Sequence, residues 1–289
     1  MAGRIAERIT DAGLRAALGA AAALPYERRI PAFGALTARL AAPAAGWRRR
    51  IEDNLDLAWP ELSPHERARI VREVPDNAGR TIAETYAGAP FLRRVRDLPL
   101  TGPGADALER ARAEGRPVVG VTAHLGNYNA ARAAIAGTGW DFAALYRPMR
   151  NPYVEAHYKA AMESIAGPVH PRGRQGMAAI IRHLKAGGFF AILADLHVYD
   201  APLLRFFGRP ARTSVAAAEL AGRHGALLVP FYGIRQPNGL DFEVRIGAEV
   251  PGGTPEARMQ HLNDDLEALV REVPGQWFWV HRRWKAAAR

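Results

Sequence analysis

Between residues 105 and 235, short apolar runs alternate with helix-like stretches, and this alternation restricts the fold more than any other feature of the chain. Pro117 to Thr122 is a β-branched run that reads as a buried strand, and Ala130 to Ala136 reads as a helix. Phe142 to Tyr146 and Phe189 to Leu193 read as further strands, and Ala226 to Tyr232 as another buried one. Tyr153 to Ile165, Met177 to Lys185 and a segment opened by Thr213-Ser214 and running to His224 read as the helices between them. The pattern predicts an α/β fold with a central mixed or mostly parallel sheet flanked by helices. Leu240 to Ile246 alternates like an edge strand, and residues 255–272 form a long helix.

The chain has 289 residues, enough for one large α/β domain with an appended segment. Residues 1–100 read as an N-terminal helical segment packed on the main domain, and residues 101–289 as the α/β domain itself. Breaks are expected at Pro60, Pro64 and Pro75. Ser63-Pro64-His65-Glu66 is a helix start, with a serine cap, proline in the first turn and an acid after it. The first fifty residues carry apolar runs interrupted by arginine, none near the ~18 to 20 residues a spanning helix needs. Glu7, Asp11 and Arg15 argue against a signal peptide. Such runs suit helices lying in a membrane interface, or helices packed on the domain.

Lysine and arginine exceed the acids by ten, so an anionic partner is expected: a phospholipid surface, a phosphorylated substrate or an acidic carrier. No zinc-finger spacing or RNA-binding aromatic motif is present, so nucleic acid is the weaker reading. The chain has no cysteine, which excludes a thiolate nucleophile and a disulfide framework. No G-x-S-x-G elbow, Walker loop or G-x-G-x-x-G occurs, and no cofactor is implied. Asp195-Leu196-His197 is a weak metal pair, so no metal site is expected.

The polar residues at strand ends carry the chemistry. His124 follows the first buried strand, where α/β proteins place their sites, and imidazole takes a proton from a hydroxyl at neutral pH. Asn129, about one helical turn on, is placed to orient its ring, and Tyr128 in the same turn to touch substrate. Asp195 follows another strand and serves as a positioning acid or as a strand-end cap. Arg147 reads as an oxyanion or phosphate ligand or as an ordinary surface arginine. Arg172 and Arg174 read as headgroup or carrier-phosphate ligands or as a solvated loop. Gln276 to Trp284 reads as an interfacial anchor or as core.

Seven ordered segments carry a resemblance: His124-Leu-Gly-Asn-Tyr-Asn129, Tyr146-Arg147-Pro148, Arg172-Gly173-Arg174, Asp195, Phe207-Gly208-x-Pro210-Ala211-x-Thr213, Val229-Pro230 and Gln276-Trp277-x-Trp279-x-His281-Arg282-Arg283-Trp284. Arg49-x-Ile51-x-x-Asn54-Leu55 and Trp59-Pro60-Glu61-Leu62 extend it. Over roughly residues 45–285 the chain resembles the late acyltransferases of lipid A biosynthesis, within the lysophospholipid acyltransferase superfamily. The resemblance implies a bacterial O-acyltransferase, peripheral or monotopic on the cytoplasmic face of the inner membrane. Its donor would be acyl-CoA or an acyl carrier protein. Its acceptor would be a lipid A precursor, a lysophospholipid or a lyso-aminolipid on an anionic membrane surface.

The resemblance makes His124 the general base and expects a carboxylate five positions later, where this chain has Asn129. Three readings of Asn129 stand: an Asp→Asn change made to trap substrate, a natural protein that is impaired or uses Asp195 instead, or a helix N-cap. On the first, Asn129→Asp raises turnover. The substitution also leaves open a non-catalytic lipid-binding or scaffold protein of the same fold.

Overall fold

A computed structural model describes residues 2–285. The N-terminal helices are α1 (Ala2–Ala22), α2 (Tyr26–Leu36), α3 (Ala42–Ala44), α4 (Trp47–Ala58), α5 (Pro64–Thr85) and α6 (Ala89–Val95), with a π-helical turn at Thr37–Ala41. Then come β1 (Leu100–Thr101), α7 (Ala105–Ala113), β2 (Val118–Thr122), α8 (Tyr128–Gly137), β3 (Phe142–Tyr146), α9 (Pro152–Ile165), β4 (Val169–Pro171), α10 (Arg174–Lys185) and β5 (Phe189–Leu193). The chain continues through β6 (Leu203–Phe206), β7 (Arg209–Arg212), α11 (Ala216–His224), β8 (Leu227–Arg235), β9 (Phe242–Ile246) and α12 (Pro255–Glu272).

Seven strands form one sheet in the order β1-β9-β8-β2-β5-β3-β4. All neighbours are parallel except β8 and β9, so the sheet is mixed but largely parallel. β2 and β8 are buried along their whole length, as strands covered by helices on both faces must be. The alternation of β9 is real, but the strand is not at the edge: the two residues of β1, absent from the sequence reading, pair beyond it. β6 and β7, for which the sequence pattern predicts no strands, form a hairpin; positive φ at Phe207 and Gly208 turns the chain there. Arg174 opens α10 rather than lying in a loop.

Pro75 does not break α5, which runs from the capping box of Ser63 and Glu66 to Thr85 with Pro75 buried inside it. The helix survives because its packing replaces what the missing N–H removes. Tyr26 and Ile30 of α2 and Ala83 of α5 join the core that contains β2, β8 and α8, so the N-terminal helices are part of the main body. On the outer surface Ile5, Ile9, Leu24, Leu36 and Leu40 are exposed.

The C-terminal tryptophans are core, not an anchor. Trp277, Trp279 and Trp284 are at most 2% exposed and pack with Phe206 and Phe207.

Candidate active site

The turn from β2 into α8 is held from three sides. Gly126 has φ +56°, and a Cβ there would meet the Gly233 carbonyl of β8 at 2.1 Å, so only glycine fits. The Asn127 N–H donates to that carbonyl (2.8 Å), and the Gly126 N–H to the Gln276 carbonyl (3.0 Å). From α5, Asn77 and Thr81, four residues apart and so on one helix face, both donate to the Gly126 carbonyl (3.1 and 3.0 Å). From the C-terminal segment, the Phe278 N–H donates to the His124 carbonyl (2.9 Å).

Asp195, at the end of neighbouring β5, faces His124. The His124 Nδ1–H donates to Asp195 Oδ1 (2.9 Å), the His124 backbone N–H to Oδ2 (2.8 Å), and the Trp277 Nε1–H to Oδ2 (3.0 Å). A carboxylate accepts these bonds, so the tautomer assigned from the network carries its proton on Nδ1 and leaves Nε2 as the free base. Burial alone would raise the Asp195 carboxyl. His124, its two hydrogen bonds and His281 overcome that and hold the group well below the usual carboxylate range. The Asp195 side chain is fully buried, whereas that of His124 is 28% exposed. The sheet therefore presents a fixed carboxylate behind a reachable imidazole.

A second imidazole, His281, to which the sequence pattern assigns no role of its own, sits beside the first. The His281 ring centroid is 4.7 Å from that of His124 at 72°, and burial, with His124 adding to it, pushes its pKa down to about 4. Asn54 of α4 fixes this segment by donating to the Trp279 and His281 carbonyls (2.6 and 2.9 Å).

Asn129 is elsewhere. It is fully buried, its Nδ2 donates to Thr85 Oγ1 (3.0 Å), and its Oδ1 accepts from Arg132 Nη1 (2.7 Å). It neither holds the His124 ring nor caps the helix; the N-cap of α8 is Asn127, whose Oδ1 accepts from the Asn129 N–H (2.9 Å). The sequence spacing suggested contact because positions 124 and 129 are near in the chain. The first turn of α8 instead rotates side chain 129 away from the cleft, toward α5. Arg132 is buried with no carboxylate partner among the described residues. Its Nη2 donates to the Ala166 carbonyl and, less well, to that of Met162, at the C-terminus of α9, where the helix dipole favours a cation. Burial lowers its pKa to about 10. Asn129→Asp would thus place a carboxylate on Arg132, not on the base. Turnover is expected to stay within ~3-fold of the parent, a barrier change below ~1 kcal/mol, in a kcat measurement. A rise of a hundredfold would return Asn129 to the reaction centre.

The order of strands sets the remaining candidates in a row. His124 follows β2, Asp195 follows β5, Arg147 follows β3, and Arg172 and Arg174 follow β4 or open α10. At about 4.8 Å per strand, Arg147 stands roughly 10 Å from His124 at backbone level. Arg147, Arg172 and Arg174 are exposed. Tyr128 packs edge-on to His124 with centroids 6.0 Å apart, and its hydroxyl lies 3.4 Å from that of Tyr158. Two apolar clefts lie nearby, and the first includes His124 in its lining. One of about 170 Å³ is lined by His124, Trp47, Val74, Ile82, Tyr128 and Phe278. Another of about 270 Å³ lies under the end of β5, lined by Leu196, Val198, Met177, Ile192 and Arg172 among others.

A family model described as "Bacterial lipid A biosynthesis acyltransferase" matches residues 8–286. The chain belongs to the bacterial lipid A biosynthesis acyltransferase family, and it is an acyltransferase. Among curated relatives, the lipid A biosynthesis acyltransferase of Haemophilus influenzae is 21% identical over 264 residues, 89% of this chain and 81% of that one. The lipid A biosynthesis palmitoleoyltransferase of Escherichia coli is 26% identical over 276 residues, covering 91% and 86%. The phosphatidylinositol mannoside acyltransferase of Mycobacterium tuberculosis is 24% identical over 187 residues, covering 63% and 59%. Members of this set therefore share an acyl transfer to a lipid acceptor, with an acyl donor.

Proposed function

We propose that the protein moves a fatty acyl chain from an acyl thioester, carried by coenzyme A or acyl carrier protein, to a hydroxyl of a membrane lipid. The observation that carries this reading is the His124–Asp195 pair, with the carboxylate fixed by three donors and Nε2 left free. His124 Nε2 takes the hydroxyl proton as the oxygen attacks the thioester carbon. The tetrahedral intermediate collapses, the C–S bond breaks, and the departing sulfur receives the proton from His124, leaving the base as it began. Asp195 holds the ring and stabilises the transient imidazolium.

The backbone N–H groups of residues 124, 126 and 127 are already engaged by Asp195, Gln276 and Gly233. Those three are not free to meet the oxyanion, and Arg147 is our side-chain candidate for it. Arg172 and Arg174 suit a phosphate of the substrate, Tyr128 the wall beside the base, and the apolar cleft beside His124 an alkyl chain. A lipid A precursor, a lysophospholipid or a lyso-aminolipid all fit this description. Asn129, which motivated a non-catalytic alternative, carries little weight for it once the ring is held by Asp195.

The same reading puts the enzyme peripherally on the cytoplasmic face of the bacterial inner membrane. It is supported by the formal charge of +10 and by exposed Ile5, Ile9, Leu36 and Leu40 on the N-terminal helices. Among the described residues no helix is long and apolar enough to cross a membrane.

The deciding experiment is His124→Ala with an acyl-CoA donor and a panel of lysolipids. Acyl transfer is expected to fall at least ~100-fold, the scale of a positioned base, with the melting temperature nearly unchanged. Retained transfer would remove His124 from the mechanism.

A further inference from the structure

The acyl-transfer reading brings two phosphate-bearing molecules to one cleft, a thiol carrier arm and a phospholipid-like acceptor. Arg172 and Arg174 provide for one of them on the β4 side. A second set of cations lies by the loop that follows Asp195. Leu196 and Val198 line the cleft under β5, and His197, between them in sequence, is not part of that lining. Arg212 at the end of β7 and Arg283 and Lys285 of the C-terminal segment all act on its ring electrostatically, and Arg283 also through its backbone.

This second group is built, not incidental. Arg283 is 1% exposed, and its guanidinium donates to the Arg212 carbonyl and to Thr213 Oγ1, both at 2.6 Å. Arg212 Nη1 donates to the Ala201 carbonyl (2.8 Å), which pins the loop after Asp195 to β7. None of these acceptors is a carboxylate, so among the described residues neither Arg212 nor Arg283 forms an ion pair. Burying or crowding uncompensated cations is unfavourable unless an anion arrives. His197 Nδ1 is itself buried without a hydrogen-bond partner. The one acid in the loop, Asp200, is exposed, and Asp195 is already committed to His124 and Trp277. Exposed Tyr199 stands over the His197 ring at 5.2 Å, giving the site an aromatic lip.

We propose that His197, Arg212 and Lys285, backed by Arg283, form a second anion subsite that takes a phosphate group of one of the two substrates. The subsite begins two residues beyond Asp195 and shares none of its residues with the cleft that Arg172 lines. The subsite rests on the acyl-transfer reading only for the identity of the phosphate carrier.

Two measurements test it. In the first, coenzyme A and inorganic pyrophosphate are titrated onto the intact protein while the His197 ring is followed by NMR. Burial and then Lys285, Arg283 and Arg212 lower the His197 pKa, with the Arg283 carbonyl opposing weakly, so a bound anion should raise it. In the second, the double variant His197→Gln/Lys285→Gln is compared with Arg110→Gln, an exposed arginine on α7. Two charge-assisted contacts removed should weaken probe binding about tenfold or more, with Arg110→Gln unaffected. A matching rise in KM for acyl-CoA but not for phosphate-free acyl-pantetheine assigns the subsite to the donor. A rise for the phosphorylated acceptor only assigns it to the acceptor.

Unchanged probe binding and unchanged KM for both substrates in the double variant, with an unmoved His197 ring, would overturn the proposal. Loss of probe binding in a protein whose parent transfers no acyl group would uphold the subsite and sink the acyl-transfer reading instead.

Discussion

Replacing Asp195 with asparagine is expected to lower kcat about a thousandfold while leaving KM for both substrates within a fewfold. Three donors converge on two carboxylate oxygens, and an amide has only one oxygen to give them. Its oxygen will take the place of Oδ2, where two N–H groups point, and its NH₂ will then face His124 Nδ1. The ring answers by moving its proton to Nε2, and the base is lost. The same tautomer error in serine-protease triads costs about 10⁴ in kcat. Steady-state kinetics decide the matter: a variant keeping more than a tenth of the parental kcat would mean that the ring does not depend on Asp195. Circular dichroism should show the fold intact.

The second large effect concerns stability. Glu84 of α5 and Arg235 of β8 form a bidentate pair (2.6 and 2.8 Å), with side chains 0% and 6% exposed. Asn127 Nδ2 donates to the same carboxylate (2.7 Å), and Arg235 Nε donates to Asn77 (2.8 Å). Glu84→Gln leaves a buried guanidinium without its counter-charge, which costs about 3–5 kcal/mol. Denaturant titration should show the midpoint falling with little change in m. Activity should fall as well, because the pair anchors the turn that carries His124. The double variant Glu84→Leu/Arg235→Met should recover part of the loss, since no lone charge then remains. A loss below ~1 kcal/mol in Glu84→Gln would mean that water reaches the pair.

How far the sequence reaches is clearest at two positions in one turn. His124 was legible because a strand end is a backbone property: a β-branched run stops and a helix pattern begins. Asn129 was not, because the direction of a first-turn side chain depends on α5, some forty-five residues earlier, packing against it. A longer separation, 151 residues, hides the pairing of Glu84 with Arg235, each of which alone reads as a surface charge. Asp195 was visible as a strand-end acid, but its role rests on β5 lying beside β2, which only the strand order gives. The β6–β7 hairpin was missed because its turn uses Phe207, not the usual asparagine or glycine, at the first positive-φ position. The tryptophans at 277, 279 and 284 fit an interface or a core equally by composition, and only Phe206 and Phe207 packed against them separates the two.

The contacts that Trp277 makes with Asp195 and Phe278 with His124 carry a consequence for synthesis. Domains fold from their N-terminal side as the ribosome releases them. Strands β2 and β5 can pair while residues 276–281 are still inside the exit tunnel, so a nascent chain holds a nearly finished sheet with an unfinished dyad. The carboxylate then lacks its indole donor and the base its backbone tether. On the proposed reading, competence for acyl transfer waits until residues 276–281 have emerged and packed against His124 and Asp195.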